Sequence, residues 1–248
     1  MKALLIKNFL LKLVTRILVR PILYILLAVR ENKKLRDSTI HSVLWDRAVQ
    51  QSADFVESHL GNALVFENKK KMWNYVGQVL NEQYSKGVCL EFGVAGGISV
   101  NWLSSLLPKF NFFGFDSFIG LKEDWKGHHA TKGTYSQNGK LPKVNANVEL
   151  ISGWFDETIP VFLKDHSRAT SDLRFIHIDG DTYEAALAVF EELGEYLKPG
   201  VFVLFDELIG YPNWQNGEFR ALCEAQKKYQ FTYEFRAFSS EQALIEIV

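Results

Sequence analysis

The sequence predicts an α/β protein built on a mostly parallel sheet. Three features of residues 87–248 support this fold class: short apolar runs alternate with helix-like segments, glycines or acids follow the ends of these runs, and the last two runs have no helix between them. Those last two strands must form a hairpin, so one of them runs antiparallel to the other strands. With 248 residues, of which 47% are hydrophobic, the chain can form one such core and a helical extension.

The elements of this domain follow from the alternation of apolar runs and helical periodicity. In an open α/β sheet the ligand site lies at the carboxyl ends of the strands, so those ends matter most for function. We predict strands at residues 88–92, 110–115, 148–151, 174–178, 201–205, 232–238 and 243–248. We predict helices at residues 100–107, 157–164, 183–197 and 218–228, and two further N-terminal helices at residues 31–59 and 68–85.

The first 36 residues differ in charge from the rest of the chain. They contain nine Lys or Arg and one acid, Glu31, although the net charge of the whole chain is only −1. Residues 2–29 are mostly apolar but interrupted by cations, which is typical of a basic amphipathic helix, and Pro21 should kink it. No stretch reaches the roughly 20 uncharged residues of a membrane-spanning helix, and the uninterrupted apolar core of a signal peptide is missing.

Two interpretations of this basic segment stay open. Either residues 1–30 lie on a membrane surface, or the helix packs against the α/β domain or against a second copy of the chain in a homo-oligomer. Cys89 and Cys223 have no Cys-x-x-Cys partner, which is typical of reduced thiols in the cytoplasm. We therefore expect a cytoplasmic protein, which the first interpretation makes peripheral to the membrane. The net charge of −1 gives no reason to expect a nucleic-acid partner. The chain divides into three parts at residues 1–36, 37–86 and 87–248.

Glycines and acids stand at the carboxyl ends of the first two predicted strands of the domain. The first strand leads into Glu91-Phe-Gly-Val-Ala-Gly-Gly97, whose glycines let the backbone approach a cofactor closely. This run lacks the Gly-x-Gly-x-x-Gly spacing of dinucleotide-binding loops. Asp116 ends the second strand, where an acid accepts both hydroxyls of a ribose or, alternatively, caps a turn.

A second group of acids follows the fourth and fifth strands. Asp179 ends the fourth strand, and Asp206 and Glu207 end the fifth. In neighbouring strands these carboxylates converge, and each raises the pKa of the others unless a cation lies between them. Oxygen ligands without nearby cysteines favour a hard ion such as Mg²⁺. The alternative is that one carboxylate caps a helix and another faces water.

Four motifs follow one another along this domain: Leu90-Glu-Phe-Gly-Val-Ala-Gly-Gly97, Phe113-Gly-Phe-Asp-Ser-Phe-Ile-Gly120, Gly153-Trp-Phe-Asp-Glu-Thr158 and Ile178-Asp-Gly-Asp-Thr-Tyr-Glu184. Together with Pro199-Gly-Val-Phe-Val-Leu-Phe-Asp-Glu207, they resemble the macrocin O-methyltransferase family, a branch of the class I S-adenosylmethionine-dependent methyltransferases. The resemblance covers about residues 87–248. It implies a Rossmann-like, seven-stranded methyltransferase sheet that binds S-adenosylmethionine.

The resemblance also implies roles for individual residues. It implies that Glu91 and the glycines after it line the methionine and ribose end of the cofactor, and that Asp116 holds the ribose. It implies Mg²⁺ bound by Asp179, Asp206 and Glu207, with Glu207 in place of the family's usual Asp. The candidate cofactor-binding residues are Glu91, Gly93, Gly97, Ser99, Asp116, Ser117, Gly153, Trp154 and Asp179.

Residues 117–147 form a long connection, which we expect to cover the methyl acceptor. The family's proposed base is a histidine in this insertion. His128 and His129 lie here, but the sequence around them does not align with the family, so they are either base candidates or exposed loop histidines. With Asp179 they are the candidate catalytic residues. The expected reaction is Mg²⁺-assisted methyl transfer to the hydroxyl of a small molecule, a sugar or a glycoside.

Two other functions compete with this hypothesis. An NAD-dependent oxidoreductase uses a related sheet, but it needs the missing glycine spacing and leaves the acids after the fourth and fifth strands without a role. A membrane-tethered scaffold without activity would have no use for Asp116, Asp179 and Asp206.

Overall fold

The computed structural model describes residues 15–36, 39–166 and 170–248, and the chain divides into two compact units, residues 1–46 and 47–248. In the first unit a π-helical turn, Thr15–Val19, leads into helix α1, Arg20–Arg36. Pro21 lies in the first turn of α1, where its missing N–H is tolerated, so the irregular turn falls just before it. The part of the predicted basic helix at residues 2–14 lies outside the described residues.

Helix α1 carries apolar side chains on every side. Residues 22–27 are six consecutive apolar residues, and each side chain is between 49% and 79% exposed. Because successive residues are 100° apart, six of them pass around the whole helix, and the apolar surface is not confined to one face. Within the described ranges, the structure has no helix long and apolar enough to cross a membrane.

The single helix predicted at residues 31–59 is two helices. Helix α1 ends at Arg36, and helix α2 comprises Ile40–Glu57. Before α2, Thr39 Oγ1 accepts a hydrogen bond from the Ser42 N–H at 3.2 Å, and Ser42 Oγ accepts one from the Thr39 N–H at 3.0 Å. This reciprocal pairing caps α2 at its start. Apolar periodicity alone does not reveal such a cap, so the prediction missed the break.

The second unit contains a sheet that has eight strands in the part of the chain that is described, in the order β1-β7-β8-β6-β5-β2-β3-β4. Strand β8 runs antiparallel to both of its neighbours, and the other pairs are parallel, which confirms the predicted fold class. The sequence analysis missed β1, which is too short to show a strand pattern. The strands are β1 Leu64–Phe66, β2 Gly87–Phe92, β3 Phe110–Asp116, β4 Val148–Ser152, β5 Leu173–Ile178, β6 Phe202–Phe205, β7 Tyr233–Ser239 and β8 Gln242–Ile247.

The strands lie between packed helices, as the alternating pattern predicts. Strand β2 is an inner strand between β5 and β3, and all six of its residues are buried, which is typical of a parallel strand covered on both faces. Its Phe92 stacks on Phe115 of β3 with 4.8 Å between ring centroids. A fully buried Phe side chain contributes roughly 1.5–3 kcal/mol. The helices are α3 Lys69–Gln83, α4 Ile98–Leu106, α5 Phe155–Asp165, α6 Tyr183–Leu193 and α7 Glu218–Tyr229, with 3₁₀ turns at Thr170–Asp172, Gly194–Tyr196 and Trp214–Asn216.

Candidate functional site

A cavity of about 610 Å³ lies at the carboxyl edge of the sheet. Five neighbouring strands each place a residue in the cavity wall, at or just after the end of the strand. These residues are Gly93, Asp116, Trp154, Asp179 and Glu207. Since these strands are neighbours in the sheet, residues spread over 115 positions of sequence meet at one place. This is the edge at which open α/β sheets bind their ligands.

Gly93, directly after β2, lies against the backbone of Asp179, directly after β5. Its φ is +102°, and a Cβ there would lie 1.7 Å from the carbonyl oxygen of Asp179. The Asp179 N–H donates to the Phe92 carbonyl at 2.8 Å, which holds the two strand ends together. Only glycine fits this position, because any side chain would collide with backbone. The sequence analysis placed Gly93 at the cofactor, and the structure places it in the cavity wall.

Asp116 is tied to the backbone around it. Its Oδ2 accepts hydrogen bonds from the N–H groups of Val94 at 2.9 Å and Ala95 at 2.7 Å, and its Oδ1 accepts one from Phe118 at 2.6 Å. Of the two roles left open by the sequence, the structure shows the turn-capping one. Asp116 also borders the cavity, so it fixes the glycine-rich loop against that wall.

Four of the expected cofactor contacts lie outside the cavity wall formed by the described residues: Glu91, Gly97, Ser99 and Gly153. Glu91 is fully buried beneath the cavity, where its Oε1 accepts a hydrogen bond from Ser99 Oγ at 2.8 Å. Its Oε2 lies 3.1 Å from Nδ1 of His177 on β5. Glu91 and Ser99 therefore support the loop from below.

The acids after β6 are paired with a lysine that the sequence analysis did not consider. Lys69 Nζ donates to Asp206 Oδ2 and, at 3.2 Å, to Glu207 Oε1. Lys69 begins helix α3, because Asn68 caps that helix by accepting the Lys71 N–H at 3.1 Å. The positive charge that we expected from a metal is thus supplied in part by the chain itself. Lys69 lies 137 residues before Asp206, and no local pattern marks it.

The other oxygen of Asp206 is engaged as well. Gln242 Nε2 donates to Asp206 Oδ1, and His177 Nε2 lies 3.6 Å from the same atom. Burial alone would lower the pKa of His177, but the neighbouring carboxylates of Asp206 and Glu91 raise it to about 10. Burial favours the neutral form of Asp206, but hydrogen bonds and the charges of His177 and Lys69 prevail and lower its pKa. Asp206 is therefore a buried anion between two cations.

Asp179, Asp181 and Glu207 form a second cluster beside this pair, with one carboxylate oxygen of each within 4.8 Å of the others. Burial, followed by the charge of Asp206, raises the pKa of all three, that of Asp181 to about 7. Glu207 Oε2 is buried and has no hydrogen-bond partner among the described residues. Asp181 has a φ of +63°, a sparsely populated conformation often found at functional sites. These carboxylates have the spacing and the unsatisfied oxygen that a divalent cation would complete.

Residues 117–147 fold over one side of the cavity. The His128 ring is tilted against Trp125 at 4.0 Å and against His129 at 4.1 Å between ring centroids. Of the two expected histidines, His128 borders the cavity in the described part of the chain. Two neighbouring residues fasten this segment to helix starts. Lys122 Nζ lies 2.8 Å from both oxygens of Asp156 in the first turn of α5, and Glu123 accepts a hydrogen bond from Thr182, the residue before α6, at 2.5 Å.

Comparison with known proteins is decisive at this point, because residues 90–208 match a family model described as a methyltransferase domain. These residues are a methyltransferase domain. The methyltransferase predicted from the sequence motifs is thereby confirmed. The matched segment carries Gly93, Asp116, Asp179 and Glu207 of the cavity wall, whereas Lys69 lies ahead of it.

Relatives of the methyltransferase domain include 8-demethyl-8-(2,3-dimethoxy-alpha-L-rhamnosyl)-tetracenomycin-C 4'-O-methyltransferase of Streptomyces olivaceus, which is 32% identical over 109 residues. That match covers 37% of this chain and 40% of the relative, so the chain spans less than half of the relative's length. Among solved structures, the calicheamicin methyltransferase CalS11 is similar with a TM-score of 0.55 and 23% identity, over 70% of this chain and 77% of that one. The O-methyltransferase NovP is similar with a TM-score of 0.52 and 17% identity, over 72% and 78%. The two solved structures share the fold.

Proposed function

We propose that this protein transfers a methyl group from S-adenosylmethionine to a hydroxyl group of a sugar or glycoside. The observation that carries the proposal is the cavity at the carboxyl edge of the methyltransferase domain, where the glycine-rich loop, Asp116 and the acidic cluster meet. The name of the Streptomyces olivaceus relative, which assigns it the 4' oxygen of a rhamnosyl tetracenomycin, supports an acceptor of this chemical class.

The residues of the cavity have distinct tasks in this proposal. Gly93 lets the start of the glycine-rich loop pack directly against the Asp179 backbone in the cavity wall, and Asp116 holds the same loop at the ribose end. S-adenosylmethionine supplies an electrophilic methyl on a sulfonium, and the acceptor oxygen must lie in line with it. As the new oxygen–carbon bond forms and the sulfur–carbon bond breaks, the hydroxyl proton must leave. His128 borders the cavity and can take it.

We also propose that Mg²⁺ assists the reaction. Asp179, Asp181 and Glu207 would hold the ion, since their oxygens converge and Glu207 Oε2 lacks a partner among the described residues. When bound, such an ion lowers the pKa of a coordinated hydroxyl. Asp206, which the family resemblance names as a ligand, is instead held by Lys69 and Gln242.

Calorimetric titration of the full-length protein with S-adenosylmethionine and, separately, with NAD tests the main proposal. We expect binding of the first and none of the second. Asp116→Ala should weaken binding at least about tenfold, because a hydrogen bond to a charged group contributes roughly 1.5–3 kcal/mol. Asp165→Ala, at an exposed aspartate at the end of α5, is the matched control and should bind like the wild type.

Binding of NAD alone would favour the oxidoreductase, and binding of neither compound would favour the scaffold. Because Asp116 also holds the loop, the thermal unfolding midpoint of Asp116→Ala is measured alongside. A loss of affinity in a variant that stays folded shows that the loop held by Asp116 forms part of the cofactor site.

Finally, we propose that α1 contacts an anionic membrane surface. Six consecutive exposed apolar residues, 22–27, supply the surface that would enter the lipid boundary, and Arg16 and Arg20 lie at its amino-terminal end. Residues 1–36 contain nine Lys or Arg and one acid, and this positive charge complements anionic lipid headgroups.

A further inference from the structure

Lys69 occupies an unusual place for a cation. Its side chain is 36% exposed, and its ammonium group reaches two carboxylates that are almost completely buried, those of Asp206 and Glu207. Lys69 is the first residue of helix α3, which Asn68 caps, and its side chain extends from the start of that helix to both carboxylates. Both partners follow β6 directly, so the contact joins the segment before the methyltransferase domain to the strand that ends in the acidic site.

The contact leaves little coordinating capacity at Asp206. One carboxylate oxygen accepts the Lys69 ammonium, and the other accepts the Gln242 amide with His177 nearby. Gln242, Asp206 and His177 come from or directly follow three adjacent strands, β8, β6 and β5, so the sheet itself holds them in register. A divalent ion at Asp206 would have to displace the lysine.

We propose that Lys69 is a fixed internal cation of the acidic site, which takes the place of a divalent ion at Asp206 and limits the affinity of the neighbouring carboxylates for Mg²⁺. This inference rests on the proposed function only in taking the acidic site to serve methyl transfer. Lys69 is a positioning residue: it acts on the ion and the acceptor through Asp206 and Glu207. The metal, when it binds, is held by Asp179, Asp181 and Glu207, with the lysine charge repelling it.

Titration of the full-length protein with Mn²⁺ and with Mg²⁺, in calorimetry without S-adenosylmethionine, tests the proposal. Lys69→Met should bind either ion at least about tenfold more tightly than the wild type, since it removes the repulsion between the ammonium charge and a cation bound at the neighbouring carboxylates. Lys69→Arg keeps the charge and should bind like the wild type. Lys70→Met removes the next lysine, which lies over the Trp102 ring, and is the matched control.

A second variant covers the case in which Lys69→Met leaves Asp206 unpaired and the protein unfolds. The double variant Lys69→Met/Asp206→Asn removes both charges of the pair, and it should bind Mn²⁺ at least as tightly as the wild type. Loss of Mn²⁺ binding in a folded double variant would make Asp206 a ligand and overturn the proposal, as would equal affinity of Lys69→Met and the wild type. Because the titration contains no methyl donor, its result is independent of whether S-adenosylmethionine binds.

Discussion

His177 is a buried histidine in strand β5, where Phe175, Ile176 and Ile178 are its buried apolar neighbours. Its side chain is fully buried, with Glu91 on one side and Asp206 on the other. The sequence places His177 correctly in a strand, but a single histidine in an apolar run gives no sign of its partners. Glu91 lies 86 residues away along the chain, and only the pairing of β2 with β5 brings the two side chains together.

The charge of His177 should make stability depend on pH. Its pKa is raised to about 10 in the folded protein, above the usual value of 6.5, so its stabilising effect is complete below pH 6.5 and is lost as the pH rises through about 10. His177→Gln should lower the free energy of unfolding by about 3–5 kcal/mol at pH 7, because it leaves buried carboxylates without their partner. The deficit relative to the wild type should shrink at pH 10.

Urea unfolding at pH 7 and pH 10 measures this difference. His41→Gln, at an exposed histidine on α2, is the matched control and should change the free energy of unfolding little at either pH. A deficit of His177→Gln that is the same at both pH values would show that His177 is uncharged in the folded protein.

At the scale of elements, the predicted strands and helices of residues 87–248 agree with the structure to within a few residues at their ends. Alternating apolar runs and terminal Gly or Asp residues carry enough local information for this. The misses have local causes too: β1 has only three residues, and the break before α2 depends on a two-residue cap at Thr39 and Ser42. Neither feature alters the periodicity on which the predictions rest.

The junction between β2 and α4 gives a sharp test of the glycine-rich loop. Gly93→Ala should lower the free energy of unfolding by more than about 2 kcal/mol, because the residue has a positive φ and its new Cβ would collide with the Asp179 backbone. Gly96→Ala, three residues later, places its Cβ in open space and should change stability by less than about 0.5 kcal/mol. Thermal or urea unfolding compares the two variants directly, and equal effects would mean that the loop adapts to a side chain at Gly93.

At the scale of the whole molecule, the sequence predicts where the site lies better than what holds it together. Parallel strands bring their carboxyl ends to one edge, so the glycines and acids at those ends could be placed together in advance. Lys69 and Gln242 could not, since one lies in an N-terminal helix and the other opens the last strand. Long-range pairing of polar side chains depends on the finished fold and has no periodic signal.

If α1 contacts an anionic membrane surface, the intact protein should bind anionic vesicles. Full-length protein should sediment with vesicles that contain phosphatidylserine and be released in part by high salt, since apolar and ionic contacts both contribute. Leu23→Glu/Leu26→Glu should stay in the supernatant, as should a chain that begins at Asn32. Val161→Glu changes a similarly exposed apolar residue on α5 and should sediment like the wild type.

Sedimentation of the double glutamate variant with the vesicles would contradict a membrane contact through α1. If the wild-type protein also stays in the supernatant, the proposed membrane contact is excluded, and sedimentation equilibrium then tests whether α1 joins two copies of the chain.

The contact of Lys69 with the acids after β6 limits how far the chain can be shortened from its N-terminus without destabilising the methyltransferase domain. A fragment starting at residue 87 retains every recognised motif, yet it loses the ammonium group facing Asp206 and Glu207 and also β1, the parallel neighbour of β7. Without that ammonium group two almost completely buried carboxylates face each other with less compensating charge, which destabilises the folded state. A fragment that retains both contacts must therefore start ahead of Leu64, more than twenty residues before the first recognisable motif.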